Sequence, residues 1–209
     1  MTRIAILDYG MGNLRSVEKA FERVGAEAER THDPSAVRSA DGLVLPGVGA
    51  FPRAMARIEE LGLDELVAER LERGTPVLGI CLGYQLLFSS SGELGGAAGL
   101  GVVEGTVRGI EAGGRKVPHM GWEPVRWERE SELTDGIASD TPFYFVHSFT
   151  PVPGEAADVV GTAEHGERFA CVIARPPVFG VQFHPEKSSD AGLRLLGNFT
   201  NICAAVPAG

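Results

Sequence analysis

Cys81 stands in Gly79-Ile-Cys-Leu-Gly83, between a short apolar run from Pro76 and a helix-like segment starting at Leu82. A cysteine held on a sharp strand-to-helix turn between small residues has the form of a nucleophile elbow with sulfur in place of a hydroxyl. Free N–H groups at a helix start favour thiolate over thiol, and the thiolate is the nucleophile. Taken alone, the segment leaves an ordinary tight connection as the lesser, competing reading. A nucleophilic cysteine also needs a base within reach. His184, in Gly180-Val-Gln-Phe-His-Pro-Glu-Lys187, follows a strand-like run, and Glu186 comes two residues later. Period-two geometry points residues 184 and 186 to one side, so the carboxylate can orient the imidazole and stabilise its cation as the thiol proton arrives.

Attack on an acyl carbon further needs donors for the developing oxyanion, each worth roughly 3 kcal/mol in the transition state. The Leu82 backbone N–H, first after the sulfur, is one. The loop Leu45-Pro-Gly-Val-Gly-Ala-Phe51 is a source of the other, at Val48, because its glycines permit close backbone approach and a peptide flip. An ordinary turn is the competing reading of that loop. The remaining thiols, Cys171 and Cys203, make an odd total of three with no metal-type spacing, so they read as small buried hydrophobes. Asp8-Tyr-Gly-Met-Gly-Asn13 lacks the third glycine of a dinucleotide loop. No cofactor and no metal is expected.

These residues must be positioned by an alternating scaffold. Strand-like runs at Ile4–Leu7, Gly42–Leu45 and Pro76–Ile80 alternate with helical patterns near Leu14–Val24, near Phe51–Arg73 and from Leu82. Such a rhythm predicts an α/β fold, a mostly parallel central sheet with helices on both faces and binding loops at the strand ends. The second half carries shorter strand-like pieces at Leu100–Val107, Lys116–Pro118, Phe143–Ser148, Asp158–Ala163, Ala170–Ala174 and Gly180–Phe183, expected as antiparallel additions. A closing helix is expected near Ala191–Ala204, and a single domain over 1–209.

Composition narrows the partners. With 44% apolar residues the chain can fill one large core. A net charge of -9 without a basic run argues against nucleic acid or an anionic membrane as partner. No apolar run reaches the roughly 20 residues of a membrane span. Met1-Thr-Arg3 leads straight into a strand rather than a signal peptide, so a cytoplasmic protein is expected.

Together, Pro46-Gly-Val-Gly49, Gly79-Ile-Cys-Leu-Gly-Tyr-Gln85 and Gln182-Phe-His-Pro-Glu186 resemble the class I (triad) glutamine amidotransferases, which have a flavodoxin-like sheet. Asp8-Tyr-Gly-Met-Gly-Asn-Leu-Arg-Ser-Val17, Lys116-Val-Pro-His-Met-Gly-Trp122, Tyr144-Phe-Val-His-Ser148 and His184-Pro-Glu-Lys-Ser-Ser189 resemble, more narrowly, the glutaminase subunits of imidazole glycerol phosphate synthase. The resemblance implies attack of Cys81 on the side-chain amide of L-glutamine, a γ-glutamyl thioester, and release of ammonia and glutamate. It implies a glutamine pocket of Gly49, Gln85, Glu93, Ser148 and Phe149. It also implies a heterodimer with a cyclase subunit, a (β/α)8 barrel, that takes the ammonia into histidine biosynthesis. Asn13, Pro118, His119, Met120, Trp122 and Tyr144 match segments near that partner, although Met120 and Trp122 would also suit a core. In the same family the oxyanion peptide is activated through the occupied partner, so the isolated chain should be a poor glutaminase. Two positions depart from the pattern: Glu123 where Asn is usual, and Phe149 where Tyr is common. The glutaminase subunit of another synthase, a catalytically silent subunit of this fold, and a cysteine peptidase are the alternatives.

Overall fold

The computed structural model describes residues 1–206; positions 207–209 of the expected 1–209 domain lie outside the described residues. The first half runs β1 (Arg3–Leu7), α1 (Leu14–Arg23), β2 (Glu27–Thr31), α2 (Pro34–Ser39), β3 (Gly42–Gly47), α3 (Phe51–Glu60), α4 (Leu63–Glu72), β4 (Val77–Cys81) and α5 (Leu82–Leu86). Then follow β5 (Phe88–Ser91), β6 (Ala97–Ala98), β7 (Val103–Gly109), β8 (His119–Trp127), β9 (Thr141–His147) and β10 (Phe149–Pro153). The chain closes with β11 (Val159–His165), β12 (Glu167–Arg175), β13 (Val178–Val181) and α6 (Ser189–Ala205).

The main sheet has the order β2-β1-β3-β4-β13-β12-β11-β8-β9. Its β2-to-β13 part is parallel: the alternating pattern predicts this for β1, β3 and β4, whereas β13, the piece at Gly180–Phe183 expected as an antiparallel addition, runs parallel to β4. From β13 outward every pairing is antiparallel, as expected for the pieces at Phe143–Ser148, Asp158–Ala163 and Ala170–Ala174; the piece at Leu100–Val107 instead becomes β7 of a second sheet, parallel to β5. Alternate strand residues feed two cores: Ile4, Ile6, Val44, Leu78 and Ile80 face α1 and α6, where Val17, Phe21, Leu195 and Phe199 meet them. Ala5, Leu7, Leu43, Leu45 and Val77 face α3 and α4 through Phe51, Met55, Ile58, Leu66 and Val67. Such alternation is what period two requires of a sheet covered on both faces. Among the described residues no helix is long and apolar enough to cross a membrane.

Several elements differ from expectation. The helix expected over Phe51–Arg73 is two helices, because Gly62 adopts φ 64°, a left-handed conformation that ends the first and starts the second. The helix from Leu82 stops after five residues. The chain then enters an unforeseen second sheet of order β10-β7-β5-β6. Lys116–Pro118 is not a strand; the strand starts at His119, directly after the cis Val117–Pro118 bond. β2 lies at the solvent edge with only Thr31 fully buried, so its sequence carries almost no apolar signal.

Candidate active site

β4 delivers Cys81 to the C-terminal end of the parallel sheet, where it takes φ 55° and ψ −110° before α5 begins. A non-glycine residue at positive φ is strained, and such strain concentrates at functional turns. The flanking glycines are sterically required. A Cβ on Gly79 would lie 2.7 Å from the Tyr84 Cα, and one on Gly83 would run into the Leu45 carbonyl. Cys81, 5% exposed as a residue, is thereby held over the strand ends. Because α5 is so short, its electrostatic help is that of the free N–H groups in its first turn, not of a long helix dipole.

His184 and Glu186 arrive from the loop after β13, which pairs in parallel with β4. His184 Nδ1 lies 2.9 Å from a Glu186 carboxylate oxygen, and both side chains are buried. With Nδ1 so engaged, Nε2 is the nitrogen left for the Cys81 sulfur. Burial alone would push the imidazole down, but hydrogen bonds and charge attraction from Cys81 and Glu186 hold it at about 10. The loop is laced to β9: the His184 N–H donates to the Tyr144 carbonyl at 2.9 Å. The buried Ser188 hydroxyl donates to the His184 carbonyl at 2.7 Å and accepts from the Tyr144 N–H at 3.0 Å. Cys171 and Cys203 are buried with protons held on by desolvation, Cys203 pushed up to about 12. Neither stands beside a histidine–carboxylate pair as Cys81 does, so neither is activated as a nucleophile.

Around the sulfur, Gly47 of β3 stands in register with Cys81, which brings the Val48 loop beside the candidate nucleophile. The buried Tyr9 hydroxyl donates to the Pro46 carbonyl at 2.6 Å and fixes the start of that loop. Gly49 has φ 113° and Val48 is 46% exposed. The Glu93 carboxylate accepts from the Phe51 N–H at 2.9 Å, so it anchors the other end. Gln85 Nε2 donates to the Phe149 carbonyl at 2.9 Å and to Gln182 Oε1 at 3.1 Å. Gln182 Nε2 in turn lies 3.9 Å from the sulfur. Gln85, Phe149 and the adjoining Ser148 are therefore gathered on one side of Cys81. Gln182 and Ser188, not singled out from the sequence, belong to the same constellation. Both lie inside motifs quoted from the sequence, but position within a motif is a weak signal that only the fold makes specific. A surface groove lined by Trp127, Arg129, Asp135, Asn198 and Ile202 among others contains none of these residues.

At the sheet edge, β8 and β9 present Met120, 62% exposed, and Trp122, 50% exposed. The Trp122 ring meets Tyr144 edge-on at 5.9 Å, and Lys187 lies over the Tyr144 ring. Burial of Met120 and Trp122 in a core is thereby excluded for the chain as described. Asn13 and Pro118 are exposed too, but His119 is 2% exposed and cannot belong to that surface. Strand alternation turns it to the opposite face, where it packs with Phe145, His147 and His165. Burial and the neighbouring imidazoles of His147 and His165 push it down to about 3, and burial takes His147 to about 4. One donor atom each of His119, Glu123 and His165 come together within 4.8 Å. Their positions in the sequence do not announce that cluster.

The sequence matches the family model described as glutamine amidotransferase class-I over residues 5–202. It is 55% identical over 202 residues to the imidazole glycerol phosphate synthase subunit HisH of Moorella thermoacetica, spanning 97% of this chain and 96% of that one. To the protein of the same name from Salinibacter ruber it is 48% identical over 210 residues, spanning 98% and 96%. A crystal structure of a glutamine amidotransferase superposes with a TM-score of 0.74 at 25% identity, over 97% of this chain and 99% of that one. A cysteine on a strained elbow, backed by a buried histidine–glutamate pair and reached by identity at this level, leaves one conclusion: the chain belongs to the class I glutamine amidotransferases and, within them, to the HisH family of imidazole glycerol phosphate synthase subunits.

Proposed function

We propose that the chain is the glutaminase subunit of an imidazole glycerol phosphate synthase, acting as one amidotransferase domain over 1–209 in the cytoplasm. The Cys81 thiolate attacks the side-chain carbonyl of L-glutamine, and the Leu82 and Val48 N–H groups receive the oxyanion. His184 gives its proton to the leaving nitrogen as the C–N bond breaks, releasing ammonia and leaving a γ-glutamyl thioester. It then takes a proton from the water that hydrolyses the thioester to glutamate, Glu186 holding the ring throughout. Gly49, Gln85, Glu93, Ser148 and Phe149 bind the substrate. Gln85 and Phe149 hold each other while Gln182 stands between Gln85 and the sulfur. The observation that carries this reading is the buried 2.9 Å His184–Glu186 pair behind Cys81.

Ammonia then passes to a cyclase subunit, a (β/α)8 barrel, which forms imidazole glycerol phosphate and aminoimidazole carboxamide ribotide. The exposed Met120–Trp122–Tyr144 face supports docking of such a partner, since aromatic and methionine anchors dominate interface energetics. Asn13 and Pro118 join it at the rim. The test is glutamate release by the purified chain, alone and with a cyclase subunit and its ribulosyl substrate analogue, with Cys81→Ala as control. Strong stimulation that disappears in the variant is expected. Absence of glutamate under every condition would favour the catalytically silent subunit.

A further inference from the structure

The contact between His119 and Glu123 lacks a proton. His147 Nδ1–H donates to the Phe149 carbonyl at 2.9 Å, so its Nε2 carries a lone pair. That lone pair, 2.9 Å from His119 Nδ1, takes the His119 proton. What remains on His119 is a second lone pair, on Nε2, in a side chain 2% exposed and without a hydrogen-bond partner. It faces a Glu123 carboxylate oxygen at 3.6 Å. Two acceptors therefore point at each other. His165 adds a third: its Nε2–H donates to the Lys116 carbonyl at 2.9 Å, which leaves the lone pair on Nδ1.

We propose that His119, Glu123 and His165 form a three-ligand site for a divalent transition-metal ion of the zinc type. One donor atom from each lies within 4.8 Å of the others. Residues four apart on a strand are separated by roughly 13 Å of backbone. His119 and Glu123 meet nonetheless because Gly121, between them on the same face, offers no side chain to keep them apart. Two neutral imidazoles and one carboxylate, with a position open to water, suit zinc; an all-oxygen shell would suit magnesium or calcium. Beyond the ligands, the His119–His147–Phe149 carbonyl chain fixes the imidazole's tautomer and orientation as outer-shell partners do in metal sites.

The rings of His119 and His165 are stacked at 4.1 Å with 18° between planes. A shared ion lies in the plane of each imidazole, so His165 must turn out of the stack as the ion enters. It is half-buried at the end of β11, next to the Gly166 turn, and in turning it exchanges its hydrogen bond to the Lys116 carbonyl for the bond to the ion. The site also shares an atom with the candidate glutamine pocket, because the Phe149 carbonyl at the end of its outer shell is the one that accepts from Gln85.

The test is Co²⁺ titration of the metal-stripped full-length chain carrying Cys81→Ala, so that the Cys81–His184 pair cannot take the ion. The intense visible bands of a low-coordinate Co²⁺ ion should saturate at one metal per chain and be lost on adding Zn²⁺. Since even outer-shell changes cost about 10–100-fold in metal affinity, Glu123→Gln and His165→Ala should each weaken Co²⁺ binding by about a hundredfold. Replacing the surface His32 by Ala should change nothing. Glu123 and His165 are both partly exposed, and a urea midpoint for each variant confirms folding. Saturation absent at millimolar metal, or binding that survives both substitutions in folded protein, would overturn the proposal.

Discussion

Ser188→Ala tests whether the loop that carries His184 is held by the lacing to β9. The Ser188 hydroxyl is buried, donates to the His184 carbonyl at 2.7 Å and accepts from the Tyr144 N–H at 3.0 Å. The carbonyl keeps a second partner in the Lys187 N–H at 3.0 Å, so the serious loss falls on Tyr144. Two hydrogen bonds and one orphaned, half-buried donor amount to about 2–4 kcal/mol of stability. A shift of roughly 1 Å at a reacting group costs on the order of a hundredfold in rate. Urea unfolding should therefore show the lower midpoint with an unchanged slope. Glutamate release with the partner present should show kcat reduced by about tenfold to a hundredfold, with KM changed much less. A folded variant that loses the stability yet keeps wild-type kcat would refute the claim that this hydroxyl positions the imidazole.

Glu186→Gln should flatten the alkaline loss of stability. His184 is held at about 10 against an ordinary 6.5, so its proton binds more tightly in the folded chain. Its contribution is full below pH 6.5 and fades as the pH rises through about 10; the variant should lose much less across that window in urea titrations. An unchanged slope with pH would mean that Glu186 does not hold the proton. Gly83→Ala should destabilise by at least about 3 kcal/mol, because the new Cβ meets the rigid Leu45 backbone and not a yielding side chain. A urea midpoint near wild type would show that α5 can move away. Trp122→Ala should change the stability of the free chain by about 1 kcal/mol or less, since half of the ring is in water. Calorimetry should show affinity for the cyclase subunit falling by at least about 2 kcal/mol; an unchanged affinity would move the docking face elsewhere.

The parallel half of the sheet was legible because its strands are unbroken apolar runs between amphipathic helices. The pairing of Cys81 with His184 and Glu186 was legible because each lies just beyond such a run. Gln182 sat inside a recognised motif, yet its place between Gln85 and the sulfur depends on β13 lying directly beside β4. His119 stood with Met120 at the expected interface because the resemblance runs over the whole Pro118–Trp122 segment and says nothing of which way each residue faces. Both lie in β8, where consecutive residues take opposite faces, and the burial of His119 follows. β2 carries charge on most of its residues and had no apolar pattern to read. The metal-type cluster joins one strand to a hairpin corner 42 residues away from Glu123, counted from 123 to 165, and no local spacing encodes that.

β9 ends at His147 and β10 begins at Phe149, so Ser148 alone separates the edge of the large sheet from the small one. On one side of that corner lies the exposed aromatic face of Tyr144; on the other is the carbonyl that holds Gln85. Inserting or deleting a residue there would shift both at once and turn every following side chain to the wrong face of the strand. On the function proposed above, substrate selectivity and partner choice are tied to one stretch of backbone, and an evolving lineage can change their side chains separately but not their spacing.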